Sequence, residues 1–208
     1  MILEGDDYWC TPHHITQHVD FLREHNECSM SANNHHTFYE DSKFFDIYTD
    51  RHEINYYSIR EQISRVNVLG NLSACCFRTV YLVSAIPQLE RVSRFADWFL
   101  GMCMGEFGLI GVLSEPTSVY RVNSQGLWSR MSSEQQVDFV LKLCKEFNET
   151  FEGKYKDWFL EAETLMNPPK VNAKSKRYKK YLPPIIKKIV ISCTPPIIVK
   201  KIRDKINS

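Results

Sequence analysis

The pattern of apolar and polar residues predicts a chain in which helices alternate with strands. Apolar residues recur at helical spacing after Pro12, from Ile15 to Leu22, and predict an amphipathic helix there. Ile2 and Leu3 are interpreted as the end of a buried strand. Further strands are predicted over 28–39, 72–83, 108–113 and 117–122, and helices within 54–66 and over 90–105 and 155–166. The repeated change of period indicates an α/β fold.

A long amphipathic helix is predicted after the capping signal Ser132-Ser133-Glu134. Its apolar positions are Val137, Val140, Leu141, Leu143, Cys144 and Phe147. At 208 residues the chain is long enough to form one domain with a substantial core.

The net charge of +1 hides an uneven distribution. From residue 170 onward there are twelve Lys or Arg and one acid, Asp204, which leaves fourteen basic and twenty-four acidic residues before it. The first 169 residues therefore carry a charge of −10 and show no basic stripe. This composition argues against nucleic acid as a partner.

The seven cysteines include no C-x-x-C pair, which favours a reducing compartment with thiols buried as small apolar groups. Cys75 and Cys76 are neighbours, so on a strand they would point to opposite faces. The apolar start of the chain is only two residues long, and we expect no secretory signal peptide. No run of about eighteen apolar residues exists, and we expect no transmembrane helix.

The most informative candidate chemistry lies near the start of the chain, in the segment from Glu4 to Trp9. Its three carboxylates, of which Asp6 and Asp7 are adjacent, are ligands that Mg²⁺ or Mn²⁺ prefers. Acids at the carboxyl end of a strand would lie where open α/β sheets bind ligands. The alternative is an acidic turn that caps the following helix.

Three motifs in order resemble the bacterial family 2 glycosyltransferases with the GT-A fold. They are Glu4-Gly5-Asp6-Asp7-Tyr8-Trp9 with Pro12 and the helix behind it, Ala96-Asp97-Trp98-Phe99-Leu100, and the segment from Ser118 to Ser129. The resemblance covers roughly residues 1 to 130. It implies an incomplete, Rossmann-like GT-A domain over 1–130, a helical extension over 131–169 and a basic Pro/Ile/Lys tail over 170–208.

The resemblance implies an inverting, metal-dependent transfer of a sugar from a nucleotide-sugar donor to an acceptor hydroxyl. Asp6 and then Asp7 would hold Mg²⁺ or Mn²⁺, and Asp97 would be the general base. Apolar neighbours of Asp97 would raise its pKa by desolvation. The alternative for Asp97 is a helix N-terminal residue that interacts with the dipole.

Four residues are candidates for contact with the donor, and the resemblance implies the class of acceptor. Glu4, Asp7, Arg121 and Trp128 would contact the donor, although an ion pair with a carboxylate explains Arg121 nearly as well. For Trp98 we favour a place in the core. The implied acceptor is a saccharide or a lipid-linked saccharide of surface polysaccharide synthesis, at the cytoplasmic, inner face of the plasma membrane.

The sequence departs from the family pattern in three places. Asn123 stands where a His is common, and His14 where a Lys is common. GT-A domains normally carry several βα units before the acidic motif, and we therefore expect the N-terminal part of the nucleotide-binding fold to be missing. These departures leave open a non-catalytic remnant or a membrane-tethered binding module.

The tail contains an approximate twelve-residue repeat, Pro-Pro-Ile-Ile-Lys-Lys-Ile from Pro183 and Pro-Pro-Ile-Ile-Val-Lys-Lys-Ile from Pro195. One apolar and one basic face would suit an anionic membrane surface. A solvated tail, or a helix pair docked on the domain, is the alternative.

A zinc site is a further hypothesis, because all seven histidines precede residue 53. His14 and His18 are four residues apart, which suits two ligands on one helix face. The glutamate of a helical metalloprotease motif is absent between them, and surface histidines are the alternative explanation.

Overall fold

The computed structural model describes residues 1–48, 54–92 and 97–167. The strands are β1 (Tyr8–Trp9), β2 (Cys28–Tyr39), β3 (Phe44–Asp46), β4 (Asn55–Tyr57), β5 (Cys75–Phe77) and β6 (Leu109–Val122). The α-helices are α1 (His14–Glu24), α2 (Ile59–Ser64), α3 (Thr79–Leu89), α4 (Asp97–Gly105), α5 (Ser133–Thr150) and α6 (Lys156–Met166). A 3₁₀ turn, Leu72–Ala74, leads into β5.

Two long parallel strands, β2 and β6, form the centre of a six-stranded mixed sheet. The short strands β5 and β3 pair with β2, and β4 and β1 pair with β6, all four antiparallel. The register of β2 against β6 shifts twice, between Cys28 and Met30 and between Asn33 and His35. This architecture confirms the α/β class.

Helix α1 covers one face of the sheet. Phe21 and Leu22 of α1 share a hydrophobic cluster with Cys28, Cys76 and Leu113. Phe21 lies directly over Gly111 of β6, where a β-carbon would collide with the phenyl ring. The absence of a side chain at Gly111 therefore lets α1 approach the sheet closely.

The opposite face of the sheet packs against α3 and α4. Met30, Ala32 and Ile110 of the central strands meet Leu100 and Met104 of α4 in a second cluster. Behind α4, a third cluster joins residues of α2 and α4 to α5 and α6, including Ile63, Phe99, Phe147 and Phe159. The C-terminal helices thus complete the core against which α4 is held.

Several predicted elements are confirmed. Strand β2 spans the predicted residues Cys28–Tyr39, and α6 begins one residue after the predicted start. In α5, Ser132 Oγ accepts a hydrogen bond from the Gln135 amide at 3.2 Å, and the Gln135 side chain accepts one from the Ser132 amide at 2.8 Å. The capping signal is therefore confirmed, with Gln135 as the second partner.

The prediction of a strand over 72–83 is wrong: only Cys75–Phe77 is a strand, and Thr79–Leu89 is a helix. The predicted strands over 108–113 and 117–122 are one continuous strand, Leu109–Val122. Ile2 and Leu3 form no strand, since the chain first pairs with β6 at Tyr8, after the acids. Two short strands, β3 and β4, lie in the segment predicted as a loop and a helix.

Cys75 and Cys76 point to opposite faces of the sheet, as predicted, and belong to different hydrophobic clusters. Of the six cysteines in the described residues, five are buried and all are free thiols. None of the helices in 1–48, 54–92 and 97–167 is both long and apolar enough to span a bilayer. The basic tail lies outside the described residues.

Candidate functional site

The acidic segment forms a turn that leads into β1. The Asp7 amide donates to the Glu4 carbonyl at 3.2 Å, and Tyr8 and Trp9 then pair with Val119 and Ser118 of β6. Ser73 fixes the turn at two points: its hydroxyl accepts from the Glu4 amide at 3.0 Å, and its carbonyl accepts from the Trp9 indole at 2.9 Å. The acids therefore precede an edge strand instead of following a buried one.

Asp7 is buried, with 8% of its surface exposed. Its Oδ1 accepts a hydrogen bond from the Arg121 amide at 2.9 Å, and its Oδ2 accepts one from Asn71 Nδ2 at 3.4 Å. Burial raises the pKa of the Asp7 carboxyl, and the hydrogen bond from the Arg121 amide opposes that rise. Asp7 thus anchors the acidic turn to β6 and to the loop before the 3₁₀ turn.

Asp97 is the first residue of α4. Its Oδ1 accepts a hydrogen bond from the Trp98 amide at 2.7 Å, and its Oδ2 accepts one from Asn67 Nδ2 at 2.9 Å. Burial raises the pKa of the Asp97 carboxyl, while these two hydrogen bonds lower it. The direction of the pKa shift is the expected one, and the carboxylate also lies where the helix dipole favours negative charge.

One loop, residues 67–71, holds both acids. Asn67, at one end of the loop, donates a hydrogen bond to Asp97, and Asn71, at the other end, donates one to Asp7. The loop therefore connects the acidic turn to the start of α4. Asn67 and Gly70 have φ angles of 67° and 84°, in the left-handed region that Asn and Gly tolerate best. Gly70 lies against the His35 ring, which leaves no room for a β-carbon.

The charges of four carboxyls, Glu4, Asp6, Asp7 and Asp97, influence the same titrating groups. Partial desolvation, followed by the negative charges of Asp7, Asp97 and Asp6, raises the pKa of Glu4 to about 7, although Glu4 keeps access to solvent. Burial and the same four acids raise the pKa of the Tyr120 phenol to about 12. Acids more than ninety residues apart in sequence therefore act electrostatically on one phenol.

Carboxylate oxygens are the donors that hard divalent cations prefer. Glu4 and Asp6 are the exposed members of the cluster, whereas both oxygens of Asp7 are engaged by donors of the protein. Within the described residues, no group of three or more His, Cys, Asp or Glu side chains is close enough to form a ready-made metal site. A cation at this site would complete its shell with phosphate oxygens or water, as Mg²⁺ commonly does.

The other predicted site residues lie in different surroundings. Arg121 forms an ion pair with Glu40, with 2.6 Å between Nη2 and Oε2, while its amide holds Asp7. Trp128 packs against Phe139 at the edge of the cluster formed by the C-terminal helices, 6.4 Å between ring centroids.

Trp98 is a core residue, as favoured from the sequence. Only 3% of its surface is exposed, and its indole donates to the Gln62 carbonyl at 2.6 Å. Asn123 serves a turn, because its Oδ1 accepts from the Gln125 amide at 2.9 Å.

His14 and His18 are buried beneath α1, so the alternative of surface histidines is wrong for this pair. His14 Nδ1 lies 2.6 Å from the Thr117 hydroxyl, His18 Nδ1 lies 2.8 Å from the Ser31 hydroxyl, and the two rings are 4.8 Å apart. Burial lowers the pKa of His14 to about 4 and that of His18 to about 3. Both imidazoles are therefore neutral and act as polar contacts between α1 and the sheet.

Sequence reasoning missed Asn67, Asn71 and Tyr120. Asn67 and Asn71 lie four residues apart around Gly70, a composition typical of a turn, but nothing in the sequence indicates which acids they contact. Tyr120 lies in the third motif, but the sequence indicates no role for it.

Comparison of the chain with protein-family models and with curated proteins gives no match in either case.

Proposed function

We propose that this chain is an inverting, metal-dependent glycosyltransferase of the GT-A type. It would transfer a sugar from a nucleotide-sugar donor to a saccharide or lipid-linked acceptor in surface polysaccharide synthesis. The observation that carries the proposal is the loop 67–71, whose Asn67 and Asn71 hydrogen-bond Asp97 and Asp7 and so link the two acidic motifs. These acids belong to the two acidic motifs that the sequence resemblance pairs.

The donor side of the proposed site is Glu4 and Asp6. Both are exposed. Partial desolvation, followed by repulsion from Asp7, Asp97 and Asp6, raises the pKa of Glu4 to about 7, and a divalent cation would relieve that repulsion. A bound Mg²⁺ or Mn²⁺ supplies charge stabilisation for the departing nucleoside diphosphate. Asp7 fixes the geometry of the turn through Asn71 and the Arg121 amide.

The acceptor side is Asp97. As the acceptor oxygen bonds to the anomeric carbon and the bond to the diphosphate oxygen breaks, Asp97 takes the hydroxyl proton. Each carboxylate oxygen has a second lone pair beyond the one used by Asn67 or the Trp98 amide, so a further hydrogen bond can form. Burial shifts the pKa of Asp97 upward, toward the value that suits a base near neutral pH.

The setting of the reaction is also part of the proposal. The acidic body and the basic tail from residue 170 suit a protein held at the inner, anionic face of a plasma membrane. That location fits a lipid-linked acceptor.

The test is sugar transfer or donor hydrolysis by the full chain with Mn²⁺ and a panel of uridine and guanosine diphosphate sugars. Asp97→Asn should lower the rate by roughly 10²- to 10⁴-fold, the usual effect of removing a general base. Asp138→Asn, on α5 and away from the acidic site, is the matched control and should keep full activity. Full activity in Asp97→Asn would contradict the assigned role.

A non-catalytic binding module is the second candidate. It is favoured by the two hydrogen bonds that already occupy the Asp97 carboxylate, which resemble a structural helix-terminus contact. A chain that binds Mn²⁺ and nucleoside diphosphate but turns over no donor would support this alternative.

A further inference from the structure

Helix α3 carries an apolar stripe that is exposed in the part of the chain that the structure describes. Val80, Val83 and Ile86 are 65%, 58% and 43% exposed and lie three residues apart, on one face of the helix. No residue from Thr79 to Leu89 is charged. A helix on the surface of a soluble protein normally carries charged residues on its outer face. An exposed apolar face without charge instead indicates an interaction surface.

The opposite side of α3 is firmly packed. Ala85 is fully buried, and Tyr81 and Leu82 pack against the cluster between the sheet and α4. Tyr81 also stacks on Phe107, with ring centroids 5.1 Å apart and planes at 5°. The stripe is therefore presented by a helix whose position is fixed by its other face.

We propose that this stripe of α3 is a membrane-contact surface that lies in the interface of an anionic lipid bilayer. Binding of this kind combines buried apolar side chains with electrostatic attraction to the headgroups. The electrostatic component is present in the sequence of residues 170–208, which contains twelve basic residues and one acid. The first 169 residues carry a net charge of −10, which anionic lipid repels. Because of this repulsion, we expect stable binding to need both the apolar stripe and the basic tail.

The surface is independent of sugar transfer, because none of its residues belongs to the acidic site. It adds a contact beyond the tail, and this contact is made by the folded domain itself. Helix α3 packs against α4, which begins at Asp97. The α3 surface would thus hold the folded domain at the bilayer.

The experiment is co-sedimentation of the full chain with vesicles of phosphatidylcholine alone and of phosphatidylcholine mixed with phosphatidylserine. Wild-type protein should bind the mixed vesicles and not the neutral ones. Val83→Glu should weaken binding to the mixed vesicles by about tenfold, since it places a charge in the apolar stripe. The control is Leu160→Glu on α6, a position with 59% exposure that makes the same change of charge and should bind as wild type.

Circular dichroism and light scattering complete the test. An unchanged helical spectrum for Val83→Glu shows that lost binding is not lost folding, and Val83→Ser provides a second, uncharged variant with the same expected direction. Equal vesicle binding by wild type and Val83→Glu would overturn the proposal, as would an equal loss in Leu160→Glu. A dimer that Val83→Glu dissociates without any effect on vesicle binding would assign the stripe to a second copy of the chain instead.

Discussion

Asn67 donates a hydrogen bond from Nδ2 to Oδ2 of Asp97, 2.9 Å away, and thereby links the loop that precedes the 3₁₀ turn to the first residue of α4. Asn67 adopts a φ of 67°, a conformation that few residues other than Asn and Gly accept readily. Its Oδ1 also accepts hydrogen bonds from Gln62 Nε2 and from the Leu69 amide. This one side chain therefore sets the position of Asp97 in the candidate site.

Replacement of Asn67 should destabilise the fold around Asp97. Asn67→Gly keeps the left-handed backbone and removes the side chain, and we expect it to lower the free energy of unfolding by about 1–3 kcal/mol. Asn67→Ala should cost roughly a further 1 kcal/mol, because alanine is strained at this φ. Urea unfolding measures both values. A pair of variants as stable as wild type would show that the side chain does not hold the loop.

The buried pair His14 and His18 predicts loss of stability in acid. Both pKa values lie below the ordinary value of 6.5, at about 4 and about 3, so the unfolded chain binds the protons more tightly. Their contribution is complete above pH 6.5 and is lost as the pH falls toward 4. We expect the free energy of unfolding to fall by on the order of 2 kcal/mol or more over this range.

Substitutions separate this effect from general acid denaturation. His18→Gln retains a hydrogen-bonding side chain but cannot titrate, and its free energy of unfolding should decline less steeply between pH 6.5 and pH 4.5. His13→Gln, at an exposed position next to His14, should decline as wild type does. The prediction fails if the His18→Gln and wild-type slopes coincide.

Gly111 predicts a steric effect at the contact between α1 and the sheet. Gly111→Ala places a β-carbon against the Phe21 ring, and we expect a loss of about 1–3 kcal/mol in unfolding free energy, typical of overpacking. Gly5→Ala is the matched control, because a β-carbon there would meet no atom of the described residues within 4 Å, its two chain neighbours aside. Thermal unfolding of the two variants decides the matter. If Gly111→Ala is destabilised no more than Gly5→Ala, α1 can shift away from the sheet at no cost and the prediction is wrong.

Removal of the Glu4 charge should stabilise the fold, by an amount that depends on pH. Its pKa of about 7 exceeds the ordinary 4.5, so its ionisation lowers stability as the pH rises through this interval. Glu4→Gln should therefore raise the free energy of unfolding at pH 8, by less than about 1 kcal/mol because the group is exposed to solvent. At pH 4 the two proteins should be equally stable. A gain of the same size in Asp138→Asn would indicate a general charge effect instead.

Much of the fold follows from local pattern. The prediction of strand β2 is correct although the strand contains Ser, Asn and His, since its register against β6 places Ser31 and Asn33 toward the polar contacts of α1. Helix α5 is predicted correctly from its cap and its apolar period. For β2 and α5, the secondary structure that the local sequence pattern predicts is also the one that the packing of the fold requires.

Helix α3 resembles a strand in sequence because its exposed face is apolar. Tyr81, Leu82, Ala85 and Leu89 form the buried helical face, but Val80, Val83 and Ile86 fill the positions between them. A run rich in apolar and β-branched residues and free of charged ones hides a period of 3.6. The candidate site is only partly predictable for a different reason: the acids form local motifs, whereas Asn67, Asn71 and Tyr120 join them through contacts of the folded chain.

The most direct measurement of the proposed function is the binding of Mn²⁺ to the full chain in the presence of uridine diphosphate, followed by electron paramagnetic resonance. Wild-type protein should bind Mn²⁺ at the acidic turn, and Asp6→Asn should weaken that binding by roughly tenfold or more, because a carboxylate ligand is lost. Asp138→Asn should bind as wild type does. Equal Mn²⁺ binding by wild type and Asp6→Asn, or no binding by wild type, would contradict the assignment of this turn to the metal and the diphosphate.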